Sequence, residues 1–322
     1  MIKIDLITGF LGSGKTTFLK KYAAWLMSRG QSIGILENDL GAVNVDMMLL
    51  KELEGENCGL EMISGGCGRE THRRRFRTKL IAMGMSGYDR VLVEPSGIYD
   101  IDEFFDTLHE EPLDQWYEIG SVIAVVDAKL EPDLSDTADY ILASEAADAG
   151  CILISRSQEA SDRELQETIA HLNRALEKAQ CSRRLRLGEE ILCRDWEKLT
   201  DKEFERIASC GFVPADYVKR DMGEKPPFDS LFFMKLPVTE HGLRQAVSRI
   251  FQDPDCGRVF RLKGFLKNDA AGDGKERWSE LNATPHETVI RPIGEGQEIL
   301  IAIGEGLNRE RIEKHLQGGE NG

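Results

Sequence analysis

IKIDLITGFLGSGKTTFLKKY, residues 2–22, is the stretch on which the fold turns. It opens with IKIDLIT (2–8), a short, β-branched and nearly continuous apolar run of the kind that forms a strand buried on both faces. GFLGSGKT follows at once, Gly9 to Thr16, and fits the pattern GxxxxGK[ST]; a helix-like stretch over about 15–29 comes next. Strand, glycine-rich loop and helix in that order make a phosphate cradle. Gly9, Gly12, Ser13 and Gly14 let the loop wrap with its N–H groups toward phosphate oxygens, and the helix N-terminus adds its dipole. In that setting Lys15, expected as an exposed loop residue, reaches the β- and γ-phosphates. The Thr16 hydroxyl, with Thr17 beside it, holds Mg²⁺. The GxGxxG spacing of a dinucleotide fingerprint is not met.

Working outward, further buried-strand runs stand at 32–37, 90–95, 121–127 and 151–155, separated by helix-like stretches at about 70–85, 101–110, 137–147 and 161–178. Strand and helix alternating with little hairpin chemistry predict an α/β domain with a mostly parallel, doubly wound sheet. The pattern changes beyond about residue 180. GEKPPFDS (223–230) reads as a linker because its proline pair favours extended backbone. After it come SLFFMKLPV, a helical TEHGLRQAVSRIF, a strand at 258–266, a polar loop NDAAGDGKERW, strands near 286–293 and 298–303, and a closing helix NRERIEKHL. The expected organisation is therefore a nucleotide-binding domain over 1–222, a linker, a small α+β domain over 231–318 and a frayed tail at 319–322.

The 322 residues carry 41 Lys and Arg against 56 Asp and Glu, a net charge of −15, with 41% hydrophobic and 30% charged residues. That composition is globular rather than disordered. The acidic balance argues against bulk nucleic-acid binding, which needs cations to displace counterions from phosphates. The longest apolar run, IGSVIAVV at 119–126, is far too short to span a bilayer. Asp5 interrupts the apolar N-terminus and no small-residue cleavage site follows, so the expectation is a cytoplasmic protein with no membrane partner. Seven scattered cysteines, at 58, 67, 151, 181, 193, 210 and 256, are expected as free thiols, Cys151 as a core residue.

A phosphate loop needs a second acid near the metal, and VLVEPSG (91–97) offers Glu94 at a strand end followed by Gly97, whose backbone can sense the γ-phosphate. Together with GFLGSGKTT (9–17), ENDLGAVNVD (37–46), GGC (65–67), VVDA (125–128), RVFRLKGFL (258–266), Trp278 and ILIAIGEGLNRERIEKHL (299–316), this resembles the CobW-like group of the CobW/HypB/UreG P-loop GTPases. The resemblance implies a GTPase of low intrinsic activity that binds GTP with Mg²⁺, changes shape with nucleotide state, and hands a transition metal, Zn²⁺ or Co²⁺, or a corrinoid's metal, to a client metalloenzyme or corrinoid protein. It implies catalytic roles for Lys15, Glu94 and Asp39, with Glu37 and Asp39 in the first switch, a ferredoxin-like C-terminal domain, and a nucleotide-dependent dimer.

The sequence departs from the family at two places. Where the family has CxCC, this chain reads Cys67, Gly68, Arg69, Glu70, and Ala42 stands where many relatives carry an acid. A sulfur-rich tetrahedral Zn²⁺ site is thereby lost. A mixed set of Glu37, Cys67, Glu70 and His72 is the alternative, with Glu37 and Cys67 its first-choice pair; Cys67 as a mere small residue in a glycine-rich turn is another. At the guanine-reading loop, Ser155, Arg156, Ser157 and Gln158 replace NKxD. Gln158 offers guanine a neutral acceptor in place of a carboxylate, and Arg156 stacks over the base. THRRRFRTK (71–79) is read as a solvated basic helix face, and His241 and His315 as surface residues. Two other functions stay open: a nucleotide-gated chaperone of a corrinoid or other cofactor enzyme with no transition-metal site of its own, and a P-loop ATP-dependent small-molecule kinase.

Overall fold

The computed structural model describes residues 1–38, 49–63, 69–99, 101–220, 228–234, 238–268, 277–294 and 296–317. The chain divides into two compact units, Met1–Glu224 and Lys225–Gly322.

In the first unit β1 (Ile2–Thr8), β2 (Ile33–Asn38), β3 (Cys58–Ile63), β4 (Arg90–Pro95), β5 (Tyr117–Asp127), β6 (Cys151–Ser155) and β7 (Ile191–Cys193) form one sheet in the order β3-β2-β4-β1-β5-β6-β7. Every neighbouring pair is parallel. The connecting helices among the described residues are α1 (Lys15–Ser28), α2 (Arg69–Gly84), α3 (Ile101–Leu108), α4 (Leu113–Trp116), α5 (Asp136–Ala147), α6 (Asp162–Lys178) and α7 (Asp201–Ala208). β2, β4 and β6 are buried along their whole length, which is why they read as unbroken apolar runs. Phe18, Leu19, Tyr22 and Leu26 of α1 pack with Ile7, Ile33, Ile35, Leu92 and Ile123 of the sheet. Each such burial contributes about 1.5–3 kcal/mol.

The acid that interrupts β1 has a structural partner. Asp5, fully buried, accepts from the Arg90 guanidinium at 2.6 Å and the Tyr22 hydroxyl at 2.7 Å, and its other oxygen accepts from Ser121 N–H at 2.8 Å. Burial pushes the Asp5 carboxyl up, and Arg90 pulls it back. This ties β1, β4, β5 and α1 together at the end of the sheet away from the phosphate loop.

The second unit holds β8 (Asp229–Met234), α8 (Glu240–Gln252), β9 (Arg258–Asn268), β10 (Arg277–Ala283), β11 (Thr288–Ile293), β12 (Ile299–Glu305) and α9 (Arg309–Gln317). Its sheet runs β11-β10-β9-β12-β8, all antiparallel. Leu243, Val247 and Ile250 of α8 and Ile312 and Leu316 of α9 share one core with Leu262, Leu281 and Leu300 of the sheet, so the expected α+β sandwich is present, with five strands.

Three strands escaped the sequence reading. β3 lies at a sheet edge with its middle residues half-buried, β7 has three residues, and β10 begins at Arg277 and Trp278, inside the stretch read as polar loop. β5 starts four residues early, at Tyr117, and β8 begins inside the expected linker. Among the described residues no helix is long and apolar enough to cross a membrane.

Candidate nucleotide and metal site

The loop after β1 turns left-handed at three glycines, Gly9 (φ 145°), Gly12 (φ 76°) and Gly14 (φ 99°), conformations that L side chains rarely adopt. Gly14 is the N-cap of α1 and makes no side-chain cap bond, so no side chain caps the helix N-terminus where an anion would approach. Lys15 is not the exposed loop residue expected. It opens α1, is 6% exposed, and its ammonium folds back to donate to the Gly9 carbonyl at 2.7 Å, inside the curl of the loop. Ser13 is buried, Thr16 half-buried and Thr17 exposed.

Two acids meet this loop from the ends of adjacent strands. The Thr16 hydroxyl donates to Glu94 Oε1 at 2.7 Å, and Glu94 on β4 stands in register beside Glu37 on β2, both 3% exposed. Gly97, just past β4, approaches the loop so closely that a Cβ there would lie 2.7 Å from Leu11 N and 3.0 Å from Lys15 Nζ. The sequence placed Glu37 and Glu94 in different switches; the register brings them side by side. Asp39 and Cys67 lie outside the described residues.

The rest of the mixed metal set does not converge. Glu70 pairs with Arg74 on the exposed face of α2, both side chains 78% exposed, because four-residue spacing on a helix favours that contact. His72 is buried and bonds Glu103 through Nδ1 at 3.4 Å. Its Nε2 is buried with no partner among the described residues. The basic run on α2 is largely neutralised: Arg73 and Arg77 pair with Glu110 and Lys79 with Glu61, as expected of a solvated face.

At the base end, Arg156 follows β6 in a left-handed conformation (φ 52°). Its guanidinium is held by Asp127 and by the Gly12 carbonyl, at 2.9 Å from the latter. The planar head is therefore committed to the phosphate loop, and only the aliphatic stem is left to cover a base. Gln158 is exposed and bonds its neighbour Glu159 at 3.4 Å.

Four residues were missed. Asp127 ends β5 and fixes Arg156. Trp196 packs edge-on against Phe18, ring centroids 5.5 Å apart, with its ring over Gly14. Neither polar atom of the fully buried Asn38 side chain has a partner among the described residues. Glu145, from α5, accepts from the Thr8 hydroxyl at 3.0 Å and from Gly9 N–H beneath the loop. Asn38 and Asp127 carried a signal, the first next to Glu37 in a segment already marked as a switch and the second within VVDA (125–128).

A left-handed glycine loop at the C-terminal end of a central parallel strand, with a lysine curled inside it and a threonine–carboxylate pair beside it, defines a P-loop nucleotide-binding domain. Residues 3–183 match the family described as CobW/HypB/UreG, nucleotide-binding domain, and the chain belongs to that family. It is similar to the zinc chaperone YjiA of Escherichia coli, 29% identical over 180 residues, covering 53% of this chain and 55% of that one. The zinc chaperone YeiR of the same organism is 28% identical over 158 residues, 49% and 47% of the two chains. Zinc-regulated GTPase metalloprotein activator 1 of Schizosaccharomyces pombe is 25% identical over 183 residues, 53% and 44%. The chain thus spans about half the length of the curated relatives it matches. The crystal structure of Zn(II)-bound YjiA GTPase is 18% identical over 99% of both chains, with a TM-score of 0.35, a loose superposition.

Proposed function

We propose that this protein is a Mg²⁺-dependent GTP-binding switch with slow intrinsic hydrolysis that passes a transition metal, Zn²⁺ before Co²⁺, to a client metalloprotein. The observation that carries the proposal is the Lys15–Thr16–Glu94–Glu37 cluster, which couples a triphosphate cradle to a buried carboxylate pair. Gly9, Gly12, Ser13, Gly14 and Lys15 hold the phosphates, Thr17 and Gly97 flank them, and Arg156 and Gln158 face the base. Thr16 and Glu94 hold Mg²⁺, Glu94 through water, and the cation when bound neutralises charge on the phosphate oxygens. Glu94 also positions the attacking water. Since Thr16 now donates to Glu94, nucleotide entry has to exchange that bond, and a shift of Glu94 is felt at Glu37 in the adjacent register position. Glu37 and Cys67 are the cargo donors proposed near the switch. The two E. coli relatives named zinc chaperones favour zinc over a corrinoid's metal. The protein on this reading has a nucleotide-binding domain of about 1–222 and a C-terminal domain of about 231–318.

A second reading, a nucleotide-gated chaperone without a switch metal, is favoured by one observation: Glu70, where the family motif has a thiolate, points away toward Arg74.

The test is calorimetric titration of Lys15→Ala with Mg·GTP. Loss of a charge-assisted phosphate contact costs about 1.5–3 kcal/mol, roughly tenfold or more in affinity. The variant is expected to bind at least that much more weakly, and a circular-dichroism melt of the same protein separates loss of the phosphate contact from loss of the Lys15–Gly9 bond inside the loop. Wild-type affinity in Lys15→Ala removes the P-loop assignment.

A further inference from the structure

The second unit brings together a donor set that the nucleotide reading does not use. A single-turn 3₁₀ helix, Pro254–Cys256, begins at its N-cap Asp253, giving the spacing Asp-x-x-Cys. Side chains three apart on a 3₁₀ turn eclipse one another, so Asp253 and Cys256 point the same way. His315, in the last turn of α9, reaches the same carboxylate, Nε2 to Oδ2 at 2.6 Å. The three donor atoms lie within 4.8 Å of one another.

We propose that Asp253, Cys256 and His315 form a binding site for a zinc-class divalent cation in the second unit, separate from the nucleotide site. One thiolate, one imidazole and one carboxylate make a borderline-soft set that suits zinc and cobalt and disfavours magnesium or calcium, which want oxygen alone. Two negative donors balance a divalent charge. The positions are held by packing. Ile312 and Leu316 of α9 sit in the core on either side of His315, Cys256 is fully buried in the same core, and Asn308 N–H donates to the Cys256 carbonyl at 3.1 Å, joining the two elements. Asp253 and His315 keep 13% and 18% of their side chains exposed, which leaves an entry on the side away from the sulfur. Three protein donors leave a fourth position for water, the coordination that allows an ion to be exchanged rather than locked in.

Arg311 is the competing cation. Its Nε donates to Asp253 Oδ2 at 2.6 Å, while its Nη2 is 3.8 Å from Asp255. On metal entry the guanidinium moves to Asp255, His315 turns a lone pair to the ion with its proton on Nδ1, and the thiol proton leaves to solvent. The other Asp253 oxygen keeps its bond from Asp255 N–H at 3.0 Å and so the turn is preserved.

The experiment is a Co²⁺ titration of the full, nucleotide-free chain in a Cys67→Ser background, read by the near-ultraviolet thiolate-to-cobalt charge-transfer band. One equivalent is expected to raise the band, and Cys256→Ser to abolish it. Asp253→Asn, whose amide oxygen can still cap the turn, and His315→Gln are each expected to weaken binding at least tenfold with the circular-dichroism melt retained. Arg311→Gln is expected to tighten binding, which a purely structural ion-pair cluster does not produce. No band in the Cys67→Ser parent, an unchanged band in Cys256→Ser, or unchanged affinity in both Asp253→Asn and His315→Gln overturns the site. Mg·GTP affinity of the Asp253, Cys256, His315 and Arg311 variants is expected to equal that of their Cys67→Ser parent, so failure here is distinct from failure of the nucleotide assignment.

Discussion

Glu145 shows how much of the phosphate loop is supported from below. It is 1% exposed, accepts from Thr8 and Gly9, and has a second oxygen with no partner among the described residues. Burial pushes its carboxyl up to about 8, against the pull of the Lys15 charge and the hydrogen bonds from Thr8 and Gly9. An acid whose pKa is higher in the folded chain than its ordinary 4.5 takes up a proton on folding. Its contribution to stability is complete below that ordinary value and is lost as pH rises toward 8. Glu145→Gln keeps the shape and the neutral charge at every pH. Thermal melts are therefore expected to coincide with wild type near pH 4.5 and to lie higher near pH 8.5, with a flatter slope between; parallel slopes in the two proteins would show that Glu145 does not titrate in this window. Nothing in SEAADAG (144–150) announces this role, because a polar residue in a helical stretch reads as a surface position until the sheet is folded beneath it. Lys15 was misread as to exposure, since the curl of the loop around its ammonium is a property of three left-handed glycines acting together.

The element proposed to read the base is the loop after β6. β1, β4, β6 and the loop between β1 and α1 were legible because their residues are buried on both faces or constrained by glycine, and such constraints act locally. β3 and β10 were not legible. An edge strand, or one with a partly exposed side, tolerates Gly59, Glu61 or Glu280, and its identity comes from its partners rather than from its own sequence. The loop after β6 is intermediate: its position was evident and its geometry was not. With the Arg156 head fixed by Asp127 and Gly12, the proposal leaves discrimination between bases to the acceptor at Gln158. A neutral acceptor gives a hydrogen bond weaker than a carboxylate's by about 1 kcal/mol, roughly fivefold in affinity. Gln158→Asp is expected to widen the GTP-over-ATP affinity ratio by about that factor, since guanine presents two donors at this edge and adenine does not. Equal ratios in the two proteins, by competitive titration, would mean that the loop does not read the base.

Across the whole molecule, the two units each close a core of their own, one around Phe18, Tyr22, Ile35 and Leu92, the other around Leu243, Leu262, Leu300 and Leu316. A ligand that binds only folded protein stabilises the unit that holds its site by RT ln(1 + [L]/Kd), about 2.7 kcal/mol at a hundred times Kd. The residues proposed to hold Mg·GTP all belong to Met1–Glu224, whereas Asp253, Cys256 and His315 belong to Lys225–Gly322. Scanning calorimetry of the intact chain is therefore expected to resolve two transitions, one raised by saturating Mg·GTP and the other raised by Co²⁺ in the Cys67→Ser protein. The assignment of each ligand to its unit is checked by the variants: Lys15→Ala is expected to remove only the nucleotide-dependent shift and Cys256→Ser only the cobalt-dependent one. A single transition that responds to both ligands would mean that the cores unfold as one cooperative body, so that metal in the second unit and nucleotide in the first are linked through stability itself.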